Sequence, residues 1–154
     1  MTATPAPSPA RPPHLRPQLI GLVMLGGAAG TAVRNAIENA FAASGDHLLP
    51  WATFGINISG AFLLGLLSEL LALNISNEQR RRVLQLTFGT GVLGGYTTYS
   101  TFALETVRLG ETNHPIAAAG YAVGSVVLGF VAAYLAMLGT RRMEIGRASC
   151  RERV

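Results

Sequence analysis

Charged residues are unevenly distributed along this chain of 154 residues, and they leave four long uncharged windows. A bilayer core about 30 Å thick is crossed by roughly 20 residues of apolar helix. The uncharged windows are 17, 22, 22 and 29 residues long and cover residues 17–33, 47–68, 83–104 and 112–140. The pattern therefore predicts four transmembrane helices, at residues 19–37, 51–73, 83–107 and 116–138.

Composition favours a membrane protein over a soluble four-helix bundle, which is the alternative with the same helix count. Charged residues make up 13% of the chain, against roughly 25% in soluble domains. A soluble bundle needs a polar stripe along each helix, and these windows have almost none. We predict an all-α membrane domain at residues 19–140. Residues 1–18, with six of the eight prolines, are predicted to be a disordered cytoplasmic tail, and residues 141–154 a basic tail.

Arginines indicate the orientation of the four spans. Cytoplasmic loops carry an excess of Arg and Lys. The opposite side carries Arg108, with Arg34 near the outer end of the first span. The other side, which holds both tails and the second loop, carries Arg11, Arg16, Arg80, Arg81, Arg82, Arg141 and Arg142. We therefore predict a protein of the cell membrane with both termini in the cytoplasm.

The last ten residues, IGRASCRERV, have the sequence that a common sequencing adapter gives when translated. We therefore expect residues 145–154 to be read-through beyond the gene, with an ordinary basic tail as the alternative. Removal of their three arginines and one glutamate lowers the formal net charge from +4 to +2. The basic charge is thus weak evidence for nucleic-acid binding, and no nucleic-acid partner is predicted.

No arrangement typical of an enzyme is present in the sequence. The three histidines fall in the tail or the loops without metal-ligand spacing. Neither a nucleophile–base set nor a phosphate-binding glycine loop occurs. We predict that the protein is not an enzyme. The polar residues within the spans are more informative, because each needs a partner in lipid.

The first two spans contain small and polar residues at helical spacing. Gly26, Gly30 and Arg34 follow one another at intervals of four and so share a helix face. The two glycines favour close helix packing. Arg34 either reaches the outer interface or attracts anions at a vestibule. In the second span, Asn57 either bonds a neighbouring helix or offers amide hydrogens to a partly dehydrated anion.

The third span contains six consecutive hydroxyl-bearing residues, from Tyr96 to Thr101. The preceding glycines and the β-branched threonines weaken the helix there, so we predict a break near residues 94–98. Beyond it, Tyr99, Phe102 and Glu105 follow at intervals of three and share a face. Tyr121 and Ser125 lie one turn apart in the fourth span. Hydroxyls, an amide and electropositive ring edges suit a small anion better than a metal cation.

Three segments together resemble a known family. GGAAGTAVRNAI, FGINISGAFLLG and GGYTTYSTFALE occur in this order, each in a separate span. Their combination resembles the CrcB/Fluc fluoride channels, and the likeness covers about residues 19–140. The resemblance implies an antiparallel dimer of four-helix subunits with two pores. It also implies passive export of fluoride from the cytoplasm, which lowers fluoride toxicity.

The resemblance also implies roles for individual residues. The backbone carbonyls of Gly94 and Thr97 match positions that hold a structural sodium ion at the dimer centre. Arg34 and Glu105 match charged positions of the family. The fluoride pore would be formed by Asn57, Tyr99, Ser100, Thr101, Phe102, Tyr121 and Ser125.

Two features of this chain modify those expectations. Tyr99 stands where the family usually has phenylalanine, so its hydroxyl adds a polar group to the pore. The strong charge bias favours a homologous, oppositely oriented subunit over a homodimer. Two other functions remain open from the residues alone. A small multidrug exporter needs an acid within the first span, and Glu38 lies just beyond that span. A structural membrane subunit would use the glycines and Asn57 for packing only.

Overall fold

The computed structural model describes residues 17–43, 45 and 48–151, with side chains described as far as Met143. The predictions for residues 1–16, among them Arg11, His14 and Arg16, lie outside the described residues. So do those for His47, for residues 152–154 and for the side chains of residues 144–151. Within the described residues, helices are joined by short connections.

Three long helices and one broken segment form the molecule. The long helices are α1 (Pro17–Ala42), α2 (Trp51–Asn74) and α6 (Pro115–Arg151). The segment between α2 and α6, called the third span here, has a first half and a second half. The first half consists of α3 (Glu78–Leu84), a π-helix (Gln85–Leu93) and α4 (Gly94–Tyr96), and the second half is α5 (Ser100–Glu111).

Local sequence signals account for the helix starts. Pro17 and Pro115 stand at first helical positions, where proline lacks only an N–H that would have no partner in the helix. Asn77 caps α3, because its side chain accepts a hydrogen bond of 3.0 Å from the backbone N–H of Arg80. The third span therefore begins with the arginine-rich stretch rather than at residue 83.

The first and last helices extend beyond their predicted ends. The predicted ends were residues 37 and 138, close to the ends of the apolar windows, whereas α1 continues to Ala42 and α6 to Arg151. Alanine, glutamate, methionine and arginine are good helix formers, so charge ends the apolar window without ending the helix. The backbone of the predicted basic tail thus continues α6 as far as the description reaches.

Three helices are long and apolar enough to cross a bilayer. They are α1, α2 and the part of α6 at Pro115–Met143, with 26, 24 and 29 residues. Their outward surfaces carry large apolar side chains, including Met24, Leu25 and Phe130, each about 70% exposed. Such surfaces suit lipid rather than water. With the broken third span as the fourth membrane segment, the chain is an all-α membrane protein, as predicted.

The predicted break in the third span is present and lies at the end of the predicted stretch. Residues 97–99 are not helical, and Thr97 is extended with ψ 158°. Gly94 and Gly95 still lie in α4, so the interruption follows them. Gly95 is needed for close packing, because a Cβ there would overlap the backbone of Gly27 on α1. Helix packing therefore explains this glycine better than weakness of the helix does.

The predicted glycine face of α1 packs directly on the first half of the third span. Gly26 and Gly30 are both buried. A Cβ at Gly26 would lie 2.7 Å from the carbonyl oxygen of Thr87, and one at Gly30 would overlap that of Val92. Both obstacles are backbone atoms, which cannot rotate away as a side chain can. The two helices therefore approach to backbone contact, as small-residue motifs allow.

Helices α2 and α6 pack along their length and are joined at one end by an ion pair. A Cβ at Gly65 would lie 2.5 Å from the carbonyl oxygen of Ala133. Four residues later, Glu69 is buried, and Arg141 Nε donates to its Oε1 at 2.6 Å. Glu69 was not among the predicted site residues, although an acid within a predicted span is itself a signal of a partner.

Candidate functional site

The break in the third span is held open by one side chain of α2. Asn57 Nδ2 donates to the carbonyl of Thr98 at 2.9 Å, and the Thr98 N–H donates to Asn57 Oδ1 at 2.9 Å. The carboxamide thereby replaces both hydrogen bonds that Thr98 would make within a helix. Asn57 does bond a neighbouring helix, which was one of its two predicted roles. Its amide still has a second hydrogen to offer.

The hydroxyls around the break satisfy its backbone and one another. Thr98 Oγ1 accepts from the Thr101 N–H at 3.2 Å, so it caps α5. The same oxygen donates to Thr101 Oγ1 at 3.1 Å and lies 3.3 Å from Ser100 Oγ. Thr97 Oγ1 donates to the carbonyl of Leu93 at 2.9 Å. Ser100 and Thr101 are therefore connected to the break through Thr98.

Several backbone carbonyls at the break lose the partners that a continuous helix would supply, and those of Gly94 and Thr97 are among them. An α-helical N–H donates to the carbonyl four residues earlier. The N–H of Thr98 bonds Asn57 instead of Gly94, and the N–H of Thr101 bonds the Thr98 hydroxyl instead of the Thr97 carbonyl. The carbonyls of Gly94 and Thr97, which the resemblance associates with sodium, thus belong to this freed set, and the sodium site stays a prediction. Their chemistry fits a hard cation, which prefers oxygen ligands.

A cavity of about 300 Å³ lies against the break. Its Ser125 Oγ is inaccessible to solvent and has no hydrogen-bond partner among the described residues. The rings of Tyr99 and Phe102 lie 6.1 Å apart with an angle of 43° between their planes. The cavity is lined by Asn57, Thr97, Thr98, Tyr99, Phe102, Ser125 and Val126. Four predicted pore residues from three spans thus meet at one cavity.

Glu105 and Tyr121 belong to an adjoining network deeper in the helix packing. Thr53 Oγ1 donates to Glu105 Oε1 at 2.8 Å, and the Tyr121 hydroxyl donates to Glu105 Oε2 at 2.8 Å. Thr53 and Tyr121 are 1% and 5% exposed. One carboxylate thus connects α5 with both α2 and α6. Thr53 was missed by the sequence analysis, although it lies one turn before Asn57 on the same helix face.

Aromatic rings connect this network with the cavity. The rings of Phe102 and Tyr121 lie 5.4 Å apart, and those of Tyr121 and Phe54 lie 6.3 Å apart. Trp51 meets Phe54 edge to face at 5.8 Å. Phe102 therefore contacts both the cavity and the carboxylate network, whereas Tyr121 lies in the network alone. Phe54 and Trp51 were not among the predicted site residues.

Arg34 stands apart from these groups on α1. It is half-buried, and its Nε is inaccessible to solvent without a hydrogen-bond partner among the described residues. The two predicted charged positions do not pair: within the part of the chain that the structure describes, the ion pair present is Glu69–Arg141. The direction in which Arg34 acts, toward the interface or toward an anion, stays a prediction.

Comparisons with known proteins agree on one family. The model of the family described as "CrcB-like protein, Camphor Resistance (CrcB)" matches residues 21–137. "Fluoride-specific ion channel FluC 1" of Cutibacterium acnes is 38% identical over 134 residues, which cover 87% of this chain and 93% of that protein. "Fluoride-specific ion channel FluC 2" of Leifsonia xyli is 45% identical over 125 residues, covering 81% and 84%. A FluC 1 of Mycolicibacterium paratuberculosis is 39% identical over 128 residues, covering 83% and 94%.

Proposed function

The chain belongs to the CrcB family, and from this premise we propose that it is a fluoride channel of the cell membrane that exports fluoride passively from the cytoplasm. The observation that carries the proposal is the cavity at the break. It brings together an amide with a hydrogen to spare, a buried hydroxyl without a partner among the described residues and two aromatic rings.

Fluoride needs such an environment because it is small and strongly hydrated, so lipid excludes it. Asn57 and Ser125 line the cavity and each carries a hydrogen-bond donor, and the edges of the Tyr99 and Phe102 rings are electropositive. These groups replace lost water without placing a full positive charge in the path. An anion can therefore enter and also leave, as conduction requires. Glu105 would position Thr53 and Tyr121 beside the path.

A second subunit is part of this proposal. The cavity opens outward, and Tyr99 is 81% exposed within one chain. A partner in antiparallel orientation would cover it and complete the donor set. Seven arginines on one side against two on the other favour a homologous subunit inserted the opposite way, with a homodimer as the alternative. Both termini of this chain would then lie in the cytoplasm.

We propose in addition a structural sodium ion at the dimer centre, held by the freed carbonyls of Gly94 and Thr97. Gly94 and Thr97 would each offer a carbonyl oxygen that no helical N–H uses. A two-fold partner would contribute the same pair, which gives four oxygen ligands. The ion would stabilise the break and the subunit contact, and it would take no part in moving fluoride.

Fluoride efflux from liposomes containing the purified protein tests the function. Wild type is expected to release fluoride well above protein-free vesicles, as followed by a fluoride electrode. Phe102→Ile removes a ring from the cavity wall and should lower the rate at least about tenfold, equivalent to about 1.4 kcal/mol in the barrier. Phe130→Ile is the matched control, because Phe130 is 71% exposed on α6 and stacks outward on Tyr134.

Two results would contradict the proposal. Wild-type vesicles that release no more fluoride than empty ones would exclude the channel, once co-expression with an oppositely oriented homologue has also failed. Equal losses in Phe102→Ile and Phe130→Ile would exclude the cavity as the path. Proton-dependent uptake of a cationic dye would favour the multidrug exporter instead.

A further inference from the structure

A cavity of about 460 Å³ lies between the end of α2 and the beginning of the third span, away from the proposed pore. Its wall is apolar where Leu71 and Leu86 line it, and it also contains Ser68 and Gln85, whose side chains bond each other at 3.2 Å. Two arginines, Arg81 and Arg82, line it as well. Apolar and cationic surfaces thus adjoin one another.

The local helix geometry directs these arginines to the cavity. Asn77 caps α3 and so sets its first turn. Arg81 and Arg82 precede Gln85 by four and three residues, so the three side chains share one face of the helix. Arg80 lies outside the cavity lining. The arginine triplet is therefore divided into two residues that line the cavity and one that does not.

The cavity lies where the predicted spans meet the charged stretch between them, which places it at the membrane surface. Leu71 and Leu86 lie within the second and third predicted spans, whereas Arg81 and Arg82 lie in the charged stretch between them. A ligand here would have its apolar part beside the spans and its charged part at the surface. That is the arrangement of a phospholipid, whose phosphate suits guanidinium groups and whose chains suit leucine.

One acidic side chain narrows the choice of headgroup. Glu78 also lines the cavity, one turn before Arg81 and Arg82. Two arginines and one glutamate leave a single net positive charge, which matches a phosphodiester with one negative charge. The carboxylate repels a second negative charge and can accept a hydrogen bond from a headgroup hydroxyl. A zwitterionic headgroup would leave the positive charge unbalanced.

We propose that the cavity between α2 and α3 binds an anionic phospholipid of the phosphatidylglycerol class, with Arg81 and Arg82 on its phosphate. The bound lipid fills the apolar wall and joins the second span to the third. This site is separate from the cavity at the break and does not depend on fluoride conduction. A failure of either proposal is therefore recognised by its own assay.

Binding of short-chain phosphatidylglycerol to the purified full chain in detergent tests the site, with native mass spectrometry and thermal unfolding as readouts. Wild type should bind phosphatidylglycerol at least about fivefold more tightly than phosphatidylcholine or phosphatidylethanolamine. Arg81→Gln and Arg82→Gln should each weaken binding about fivefold, equivalent to about 1 kcal/mol. Arg80→Gln removes the same charge outside the cavity and should weaken it less than about twofold.

Each remaining outcome decides against the site. Equal losses in the three arginine variants would mean a diffuse positive surface rather than a cavity. Equal binding of phosphatidylglycerol and phosphatidylcholine would exclude headgroup recognition. Displacement by inorganic phosphate or glycerol phosphate at the same concentration as the lipid would identify a free-phosphate site. Circular dichroism of each variant verifies that the helices are intact.

Substitution of Glu78 should change lipid affinity in the opposite direction to substitution of the arginines. Glu78→Gln removes the repulsion and should tighten binding of phosphatidylglycerol while it relaxes the preference for a single charge. A doubly charged lipid, phosphatidic acid, should gain more from this substitution than phosphatidylglycerol does. If Glu78→Gln weakens both lipids, the carboxylate does not face the phosphate and the proposed arrangement is wrong.

Discussion

The two halves of the third span are held in place by different interactions. The first half packs against α1 through glycines, so backbone meets backbone and the contact leaves no space. The second half is tied to α2 and α6 by side-chain hydrogen bonds from Thr53 and Tyr121 to Glu105, and Asn57 of α2 bonds Thr98 in the break before it. Where it meets them, a cavity remains. The first half is therefore held to α1 by backbone packing, and the second half is held by buried polar side chains beside a cavity.

Substitution of a glycine of α1 that packs on the first half of the third span is expected to have the largest effect on stability. Gly30→Ala would place a methyl group on the carbonyl of Val92, and neither backbone can move without separating the helices. We expect a loss of about 3 kcal/mol in the free energy of unfolding, measured by denaturation in detergent. Gly21→Ala on the same helix meets no atom within 4 Å and should be neutral. Similar stability of the two variants would contradict backbone contact.

Loss of the two hydrogen bonds between Asn57 and Thr98 should have the next largest effect on stability. Asn57→Ala leaves both the N–H and the carbonyl of Thr98 without their partner, at a cost of about 2 kcal/mol. Fluoride efflux should fall together with stability, because Asn57 fixes the backbone at the break and also lines the cavity. Asn74→Ala is the control, since Asn74 bonds only the carbonyl of Leu70 in its own helix. An Asn57→Ala protein with wild-type efflux would remove the amide from the path.

Loss of the hydrogen bonds to Glu105 should reduce stability less, and the effects of the two donors should depend on each other. Thr53→Val removes one hydroxyl donor to Glu105 with little change of shape, at a cost of about 1.5 kcal/mol. Tyr121→Phe removes the other donor. Because both act on one carboxylate, their effects on unfolding should be non-additive in a double-mutant cycle. Thr106→Val is the control, since Thr106 bonds the Phe102 carbonyl of its own helix. Additive losses would mean that the second half is not held through Glu105.

Tyr99→Phe is expected to have the smallest effect on stability. It restores the phenylalanine that is usual at this position in the family, and so tests what the extra hydroxyl does. Tyr99 is 81% exposed, so loss of its hydroxyl should change unfolding by less than about 0.5 kcal/mol. Efflux should change while the protein stays equally stable, because Tyr99 lines the cavity and is largely exposed within one chain. Unaltered fluoride efflux and selectivity would show that the ring alone is used at this position.

The sequence predicted the elements better than their limits. The four spans, the glycine face of α1 and the break followed from apolar length, small-residue spacing and local helix propensity, all of which are local properties. Helix ends were missed where charge ended an apolar window within a continuing helix, as after residue 138. Ser68, Glu69 and Gln85 were not singled out, because their partners lie on other elements at distances along the chain that no local pattern records.

Candidate site residues divide in the same way. Asn57, Tyr99, Phe102 and Ser125 were identified as polar or aromatic groups within spans, and the structure brings them to one cavity. Their assignment as a fluoride pore still rests on family membership and awaits the efflux measurement. Thr53 was overlooked because a threonine near a helix start is ordinary until Glu105 is found 2.8 Å away.

By itself, the sequence determined that this chain is an all-α membrane protein, roughly where its long apolar helices lie, and where its third predicted span is interrupted. These properties follow from the free energy of transferring side chains into lipid and from helix propensity. Both depend only on the residues within a few helical turns. Only the tertiary structure decided which glycines meet backbone, that Asn57 holds both polar groups of Thr98, and that the carbonyls of Gly94 and Thr97 lose their helical partners. Those features require atoms from separate spans to meet within hydrogen-bond or contact distance, and that depends on how the helices pack.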